Sequence, residues 1–366
     1  MRRCAWLLII SMCLALPVRA GDVLRIFSWD GYVSADDLAQ VNRQLHEQKI
    51  NVRAELISPY AEGPEQMFQI LRANRADVSF LTVNYIQMQE GRIARLLQGI
   101  DTRRLRNYKA VLPELAKLPM GIEQGQLLYV PFGGGAYGIW ANMDRLSAEE
   151  LPKRLQDLLA PRWKHHLSLT SGQVQPNVAL AYMASGEAPF KLDVQVREGQ
   201  RELAKQQSVH GEPKRFLDAL YGQVSQFWTT APAFAADDLL VASYGPEISG
   251  RRALGQNWQL VQFQEGNTVW LDTINLVNGL HGAKLDAAYV FIDHMLSNPV
   301  QRRVVEGLSM VAVTGTVSNP LLKDNPDFFR AAYFWPPYTK LSDNLMRAMS
   351  DSSMRAQGIP VKTSNP

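Results

Sequence analysis

The chain has 366 residues, of which 46% are hydrophobic, 20% charged and 9% aromatic; this is the composition of a folded globular protein of about two domains, and it excludes a disordered, collagenous or many-pass membrane chain. The formal charge is +3, from 38 basic and 35 acidic residues, but Arg2, Arg3 and Arg19 lie in a segment, residues 1–20, that holds no Asp or Glu, so the remainder balances. No basic footprint is left for nucleic acid or an anionic membrane surface, and two cysteines, Cys4 and Cys13, exclude a disulfide-dense scaffold or a multi-cysteine metal site.

Arg2 and Arg3 precede an apolar run from Ala5 to Leu16, and Val18-Arg19-Ala20 offers a small-x-small cleavage pattern. Residues 1–20 therefore read as a secretory signal peptide. The run is shorter than the about 20 residues of a spanning helix, which weighs against a membrane anchor. Ser11-Met12 lacks the small residue expected ahead of a lipidated Cys13, so the expectation is a soluble protein exported to the periplasm, with no thiol after cleavage.

The mature chain opens with a strand, Val23 to Phe27, and then a helix capped by Ser34, with Asp37 at its third position and Leu38, Val41 and Leu45 on one face. Residues Ile50 to Leu56 alternate as a strand does, helical spacing returns around Met67, Ile70 and Leu71, and Asp77 to Thr82 is a short apolar run suited to a buried strand. This alternation predicts an α/β domain with a largely parallel sheet. Farther on, Leu127–Val130, Tyr137–Ala141, Leu167–Thr170 and Leu239–Ser243 read as short strands of a second α/β lobe. A helix face runs through Leu285, Ala288, Tyr289, Ile292, Met295 and Leu296; Asn298-Pro299 reads as the cap and first-turn proline of another helix; and from Asp351 the spacing predicts a polar, frayed tail.

Enzyme motifs are missing. Gly133-Gly134-Gly135 is not followed by Gly-Lys-Ser/Thr and reads as a flexible turn. His165 and His166, being adjacent, would face opposite ways on a strand and read as a solvated pair. There is no nucleophile elbow, His-Glu-x-x-His or serine–lysine signature. No enzyme, cofactor or metal is expected.

Phe27-Ser28-Trp29-Asp30-Gly31-Tyr32-Val33 resembles the opening of the periplasmic spermidine- and putrescine-binding proteins of bacterial ABC importers, within the bacterial extracellular solute-binding proteins. In the same order, Val130-Pro131-Phe132 through Gly138-Ile139-Trp140-Ala141-Asn142 resembles that family's crossing between lobes, Leu158 to Lys164 its Leu-Trp-Lys-Pro-x-Tyr-Lys-Gly segment, and Val269-Trp270-Leu271-Asp272-Thr273 its return strand. The resemblance implies an α/β, bilobed periplasmic binding protein fold (type II), two α/β lobes joined by hinge crossovers. Lobe one would comprise residues 21–139 and 273–316, lobe two residues 140–272 and 317–366, with the ligand in the cleft outside the carboxyl ends of the strands.

A linear polyamine needs carboxylates for its ammonium groups and aromatic walls that stack on methylenes and attract a cation. The resemblance assigns Trp29 and Tyr32 to the lobe-one wall, with Asp30 an added carboxylate, and places Thr82 and Tyr85 in the other lobe-one loop. It pairs Trp270 with Asp272 on the return strand, where a spacing of two puts both on one face, and adds Tyr244 and Glu247 from an aromatic-x-x-acid turn. The chain departs from the family at Ser171, Gly172 and Gln175, where acids are expected, at Asn84, and at Met310 in place of an aromatic. These departures point to a shorter or differently spaced amine, a neutral end, or another ligand. The implied function is a monomeric periplasmic receptor that binds a polyamine-like cation (spermidine, putrescine or norspermidine) and delivers it to an inner-membrane ABC permease. The alternatives are a polyamine-sensing accessory that docks on a membrane-bound sensor, and a receptor for a different small solute.

Overall fold

The computed structural model describes residues 22–361, so the export segment expected at residues 1–20 lies outside the described residues. The chain begins with β1 (Asp22–Phe27), α1 (Ala35–Glu47), β2 (Val52–Leu56), α2 (Pro64–Arg72) and β3 (Val78–Thr82). β1 pairs in parallel with both β2 and β3. The expected start of α1 is present: the Asp37 N–H donates to Ser34 Oγ, and the Ser34 N–H donates back to the Asp37 carboxylate at 2.8 Å. Val41 and Leu45 are buried beneath it.

A thirteen-residue strand, β4 (Val130–Asn142), follows. After it come β5 (Leu167–Thr170), α3 (Gln175–Ala184), α4 (Lys191–Arg197), α5 (Arg201–His210), α6 (Glu212–Tyr221), β6 (Val224–Trp228) and β7 (Leu240–Ser243). The chain continues through α7 (Pro246–Ala253), β8 (Trp258–Leu260), β9 (Thr268–Val277), α8 (Gly282–Met295), α9 (Asn298–Glu306) and α10 (Lys340–Ala356). The principal strands lie in the order β2-β1-β3-β9-β4-β7-β5-β6.

β4 joins two halves of this sheet. Up to Tyr137 it pairs antiparallel with β9, and from Gly138 onward its partners are β7 and β8. Two hydrophobic cores flank this strand, the first reaching past the boundary to Trp140, Val241 and Trp258. One gathers Phe27, Phe80, Phe132 and Phe291 with Phe328, Phe329 and Phe334. The other gathers Trp163, Leu169, Tyr182, Leu217 and Tyr221 with Met346, Met349 and Met354. The final passage between the cores therefore runs through residues 334–339.

Three expectations need correction. Gly133–Gly135 is not a flexible turn, and the two short strands expected on either side of it are one strand. These glycines are there for space: a Cβ on Gly135 would lie 2.6 Å from the Trp270 ring, one on Gly134 2.8 Å from the Trp270 carbonyl oxygen, and one on Gly133 2.5 Å from Met310. The tail is not frayed from Asp351, because α10 runs to Ala356 and buries Ser353 and Met354. The N-cap position of α9 is Ser297, and Asn298 is its first helical residue. Among the described residues no helix is long and apolar enough to cross a membrane.

Candidate functional site

The parallel strands β1, β2 and β3 of one half, and β5, β6 and β7 of the other, direct their carboxyl ends at a common cavity of about 390 Å³. A larger open depression of about 620 Å³ flanks α1 and α8. Its charges already answer one another, with Arg104 bound to Asp286 at 2.7 Å and Arg106 near Asp293 at 3.5 Å.

β1 ends in the loop that carries Trp29, Asp30 and Tyr32 to the cavity wall. That loop is held from behind by Arg303 on α9, whose guanidinium donates to the carbonyls of Gly31 at 3.0 Å and Tyr32 at 2.9 Å. Arg303 in turn pairs with Asp37 at 2.5 Å, and His294 lies 3.2 Å from the same carboxylate. Burial works against the charge on Asp37, but hydrogen bonds from His294 and Ser34 and the charge of Arg303 outweigh it and hold its pKa at about 2.

Asp272 sits in the middle of β9, opposite Thr82 on β3. The Tyr32 hydroxyl donates to one of its oxygens at 2.6 Å and the Thr82 hydroxyl to the other at 2.7 Å. No cation is bound to it among the described residues, and burial pushes its pKa up to about 6 although both hydroxyl bonds pull the other way. The Tyr32 phenol is held well above its ordinary pKa by burial first and then by the negative charges of Asp272 and Glu247, which places both carboxylates within electrostatic reach of one ring. Glu247, in the first turn of α7, accepts a bond from Ser243 at 2.7 Å.

Aromatic rings supply most of the remaining wall. Tyr244 packs edge-on against Tyr137 at 5.1 Å and donates to Gln173 at 2.8 Å. Trp270 lies over the bare backbone of Gly135. Trp335 and Tyr338, in the passage before α10, close the cavity from the side, with Trp335 against Phe190 at 4.7 Å. The indole N–H groups of Trp29, Trp228 and Trp270 are buried without an acceptor among the described residues.

All nine residues expected from the sequence, Trp29, Asp30, Tyr32, Thr82, Tyr85, Tyr244, Glu247, Trp270 and Asp272, line this one cavity. Gln175 and Asn84, noted as departures, line it too, whereas Met310 is buried against Gly133 and Ser171 binds the Trp228 carbonyl. Sequence reasoning missed Glu62, Gln173, Trp228, Trp335 and Tyr338. The signal for two of them was legible: Phe334-Trp335-Pro336-Pro337-Tyr338 is an aromatic-dense, proline-stiffened segment just ahead of a helix. Trp228 ends a strand whose alternation, Val224 to Trp228, is too short to stand out alone.

The profile of the family described as bacterial extracellular solute-binding protein matches residues 92–334, about two thirds of the chain. The chain belongs to that family. No curated protein matches it by sequence. Among solved structures it is similar to the spermidine/putrescine ABC transporter substrate-binding protein PotD of Streptococcus pneumoniae, at 14% identity over 92% of this chain and 99% of that one, with a TM-score of 0.69. It is similar also to the Tp0655 (TpPotD) lipoprotein of Treponema pallidum, at 14% identity over 91% and 99%, with a TM-score of 0.65. The fructose-6-phosphate-bound AfuA of Actinobacillus pleuropneumoniae follows at 17% identity over 94% and 99%, with a TM-score of 0.56. At such identities the likeness is one of fold: the chain has the bilobed periplasmic binding protein fold (type II) expected from its sequence. Cargo is not carried by the fold, since these neighbours are titled for a polyamine transporter and for a bound sugar phosphate alike.

Proposed function

We propose that this solute-binding protein holds an amine cation of the polyamine class in the cavity between its lobes and delivers it to a membrane permease. The observation that carries the reading is the charge of the wall. The cavity is lined by four carboxylates (Asp30, Glu62, Glu247, Asp272) and eight aromatic side chains, and no lysine, arginine or histidine is among its lining residues. A sugar phosphate or carboxylate ligand would meet repulsion and no counter-charge there, whereas an alkylammonium finds carboxylates for its charge and ring faces for its methylenes. Trp29, Asp30, Tyr32, Thr82, Tyr85, Tyr244, Glu247, Trp270 and Asp272 are the proposed binding residues. The lobes would close on the ligand about β4, the stretch leading into β9, and residues 334–339.

Calorimetric titration of the ligand-stripped protein with putrescine, cadaverine, spermidine, norspermidine and spermine tests this. One-to-one binding at micromolar or tighter affinity by at least one of them is expected. Flat traces for all five, from protein shown to be folded, would remove the amine assignment.

A further inference from the structure

The carboxylates are unevenly placed along the sheet. Walking outward from β4 through the first half, the acidic residues facing the cavity are Asp272 within β9, Asp30 after β1 and Glu62 after β2. Walking outward through the second half, Glu247 follows β7, next to β4, and beyond it every polar side chain facing the cavity is uncharged: Gln173 and Gln175 after β5, Thr229 and Thr230 after β6. Adjacent strands lie about 4.8 Å apart, so the wall loses its charge within one or two strands of Glu247.

The acid bonded to this uncharged wall is already answered. Asp343 on α10 accepts from Gln175 at 2.5 Å and is paired with Arg347 at 2.9 Å. At this end the Trp228 indole N–H is buried with no acceptor among the described residues, as are those of Trp29 and Trp270 at the other end, so it is the missing carboxylate that sets this wall apart. An ammonium group brings only N–H donors, so it cannot satisfy that indole, and at this wall it would be desolvated with no counter-charge. A carbonyl oxygen would accept from the indole and from the amide and hydroxyl groups around it. Asp30 and Glu62 are exposed, whereas Asp272 is buried.

We propose that the ligand is an asymmetric amine, with a cationic end against Asp272 and Glu247 and an uncharged, oxygen-bearing end of the acetamide type among Gln173, Gln175, Thr229 and Trp228. This rests on the amine reading above and adds to it that one end is neutral.

Matched pairs test it on the full mature chain: putrescine against N-acetylputrescine, spermidine against its two mono-acetylated forms, and N,N′-diacetylputrescine as a ligand with no cation. A mono-acetylated member is expected to bind at least about tenfold tighter than its parent, since the parent must bury a second charge unpaired, and the diacetylated compound is expected not to bind. Equal or tighter binding of the parents overturns the asymmetry while leaving the amine reading in place. Binding by none overturns both. Gln173→Glu keeps an acceptor for the Tyr244 hydroxyl and adds a carboxylate to the neutral wall, so it is expected to move the preference toward the diamine by about fivefold or more; an unchanged preference would show that the second end of the ligand lies elsewhere.

Discussion

At Asp272 the cost of burying a carboxylate meets the gain expected from the proposed cation. Its folded-state pKa of about 6, against an ordinary 3.8, means that the native state favours the protonated carboxyl. The stability this contributes is fully present below the unfolded value and is lost as pH rises through about 6. Above that pH the ligand-free protein carries a buried charge that two hydroxyls bond but no cation answers, costing roughly 3 kcal/mol. Asp272→Asn removes the charge while keeping the shape, so thermal melting should show the variant to be more stable than the parent at pH 7.5 and equal to it near pH 4; a variant less stable at both would mean that the carboxylate is fully compensated. The proposed cationic ligand would need the ionised form. Amine affinity should therefore be flat above pH 6 and fall about tenfold per pH unit below it, and titrations at pH 5, 6 and 7.5 that agree with one another would exclude Asp272 as the anchor. Asn at this position should abolish most of the binding at every pH.

Elements decide where those side chains stand, and here the sequence was legible in part. The alternation in Val23–Phe27 and Ile50–Leu56 and the Ser34–Asp37 box were enough to place β1, β2 and α1, because each follows from local periodicity and capping. The three glycines of β4 were not, because what they answer to lies more than 130 residues away: Gly135 is bare so that Trp270 can lie on it, and Gly133 so that Met310 can. Gly135→Ala should push the indole out of the wall. A misfit of this kind typically costs about 1–3 kcal/mol, which in affinity is roughly a five- to hundredfold loss, and it should come with a shift in tryptophan emission. Unchanged affinity would show that Trp270 is not a binding wall. The last helix was misjudged for a related reason. Its serines and charges look like a tail, yet Met346, Met349 and Met354 share the face that closes the second core. Met349→Ala should lower stability by about 2–5 kcal/mol, read as a lowered melting temperature; a neutral outcome would mean that α10 contributes little to that core. The nine proposed binding residues share one cavity, and their positions were legible because a resemblance of short motifs at strand ends and along β9 carries position. Trp335 and Tyr338 left a signal in their aromatic, proline-stiffened segment that was passed over, whereas Trp228 left none, because its short strand meets the cavity only through the assembled fold.

At the scale of the whole molecule, the two cores are coupled by one continuous strand. β4 hydrogen-bonds to β9 on one side of the Tyr137–Gly138 boundary and to β7 and β8 on the other, so melting one core strips partners from a strand the other core also needs. A single cooperative transition follows from that sharing, in spite of two separate apolar clusters. The proposed cavity has the same dual dependence, since Asp272 and Tyr32 stand on one half and Glu247 and Tyr244 on the other. A ligand bridging both halves stabilises only the state in which both are folded. At a free concentration of 100 times its dissociation constant it should add about 2.7 kcal/mol, a rise of roughly 4 °C for a protein of this size, and the whole transition should move together. Scanning calorimetry with and without saturating amine distinguishes the cases. Two resolved transitions, only one of them shifted by amine, would mean that one lobe holds the ligand alone and that the cleft between the lobes is not the site.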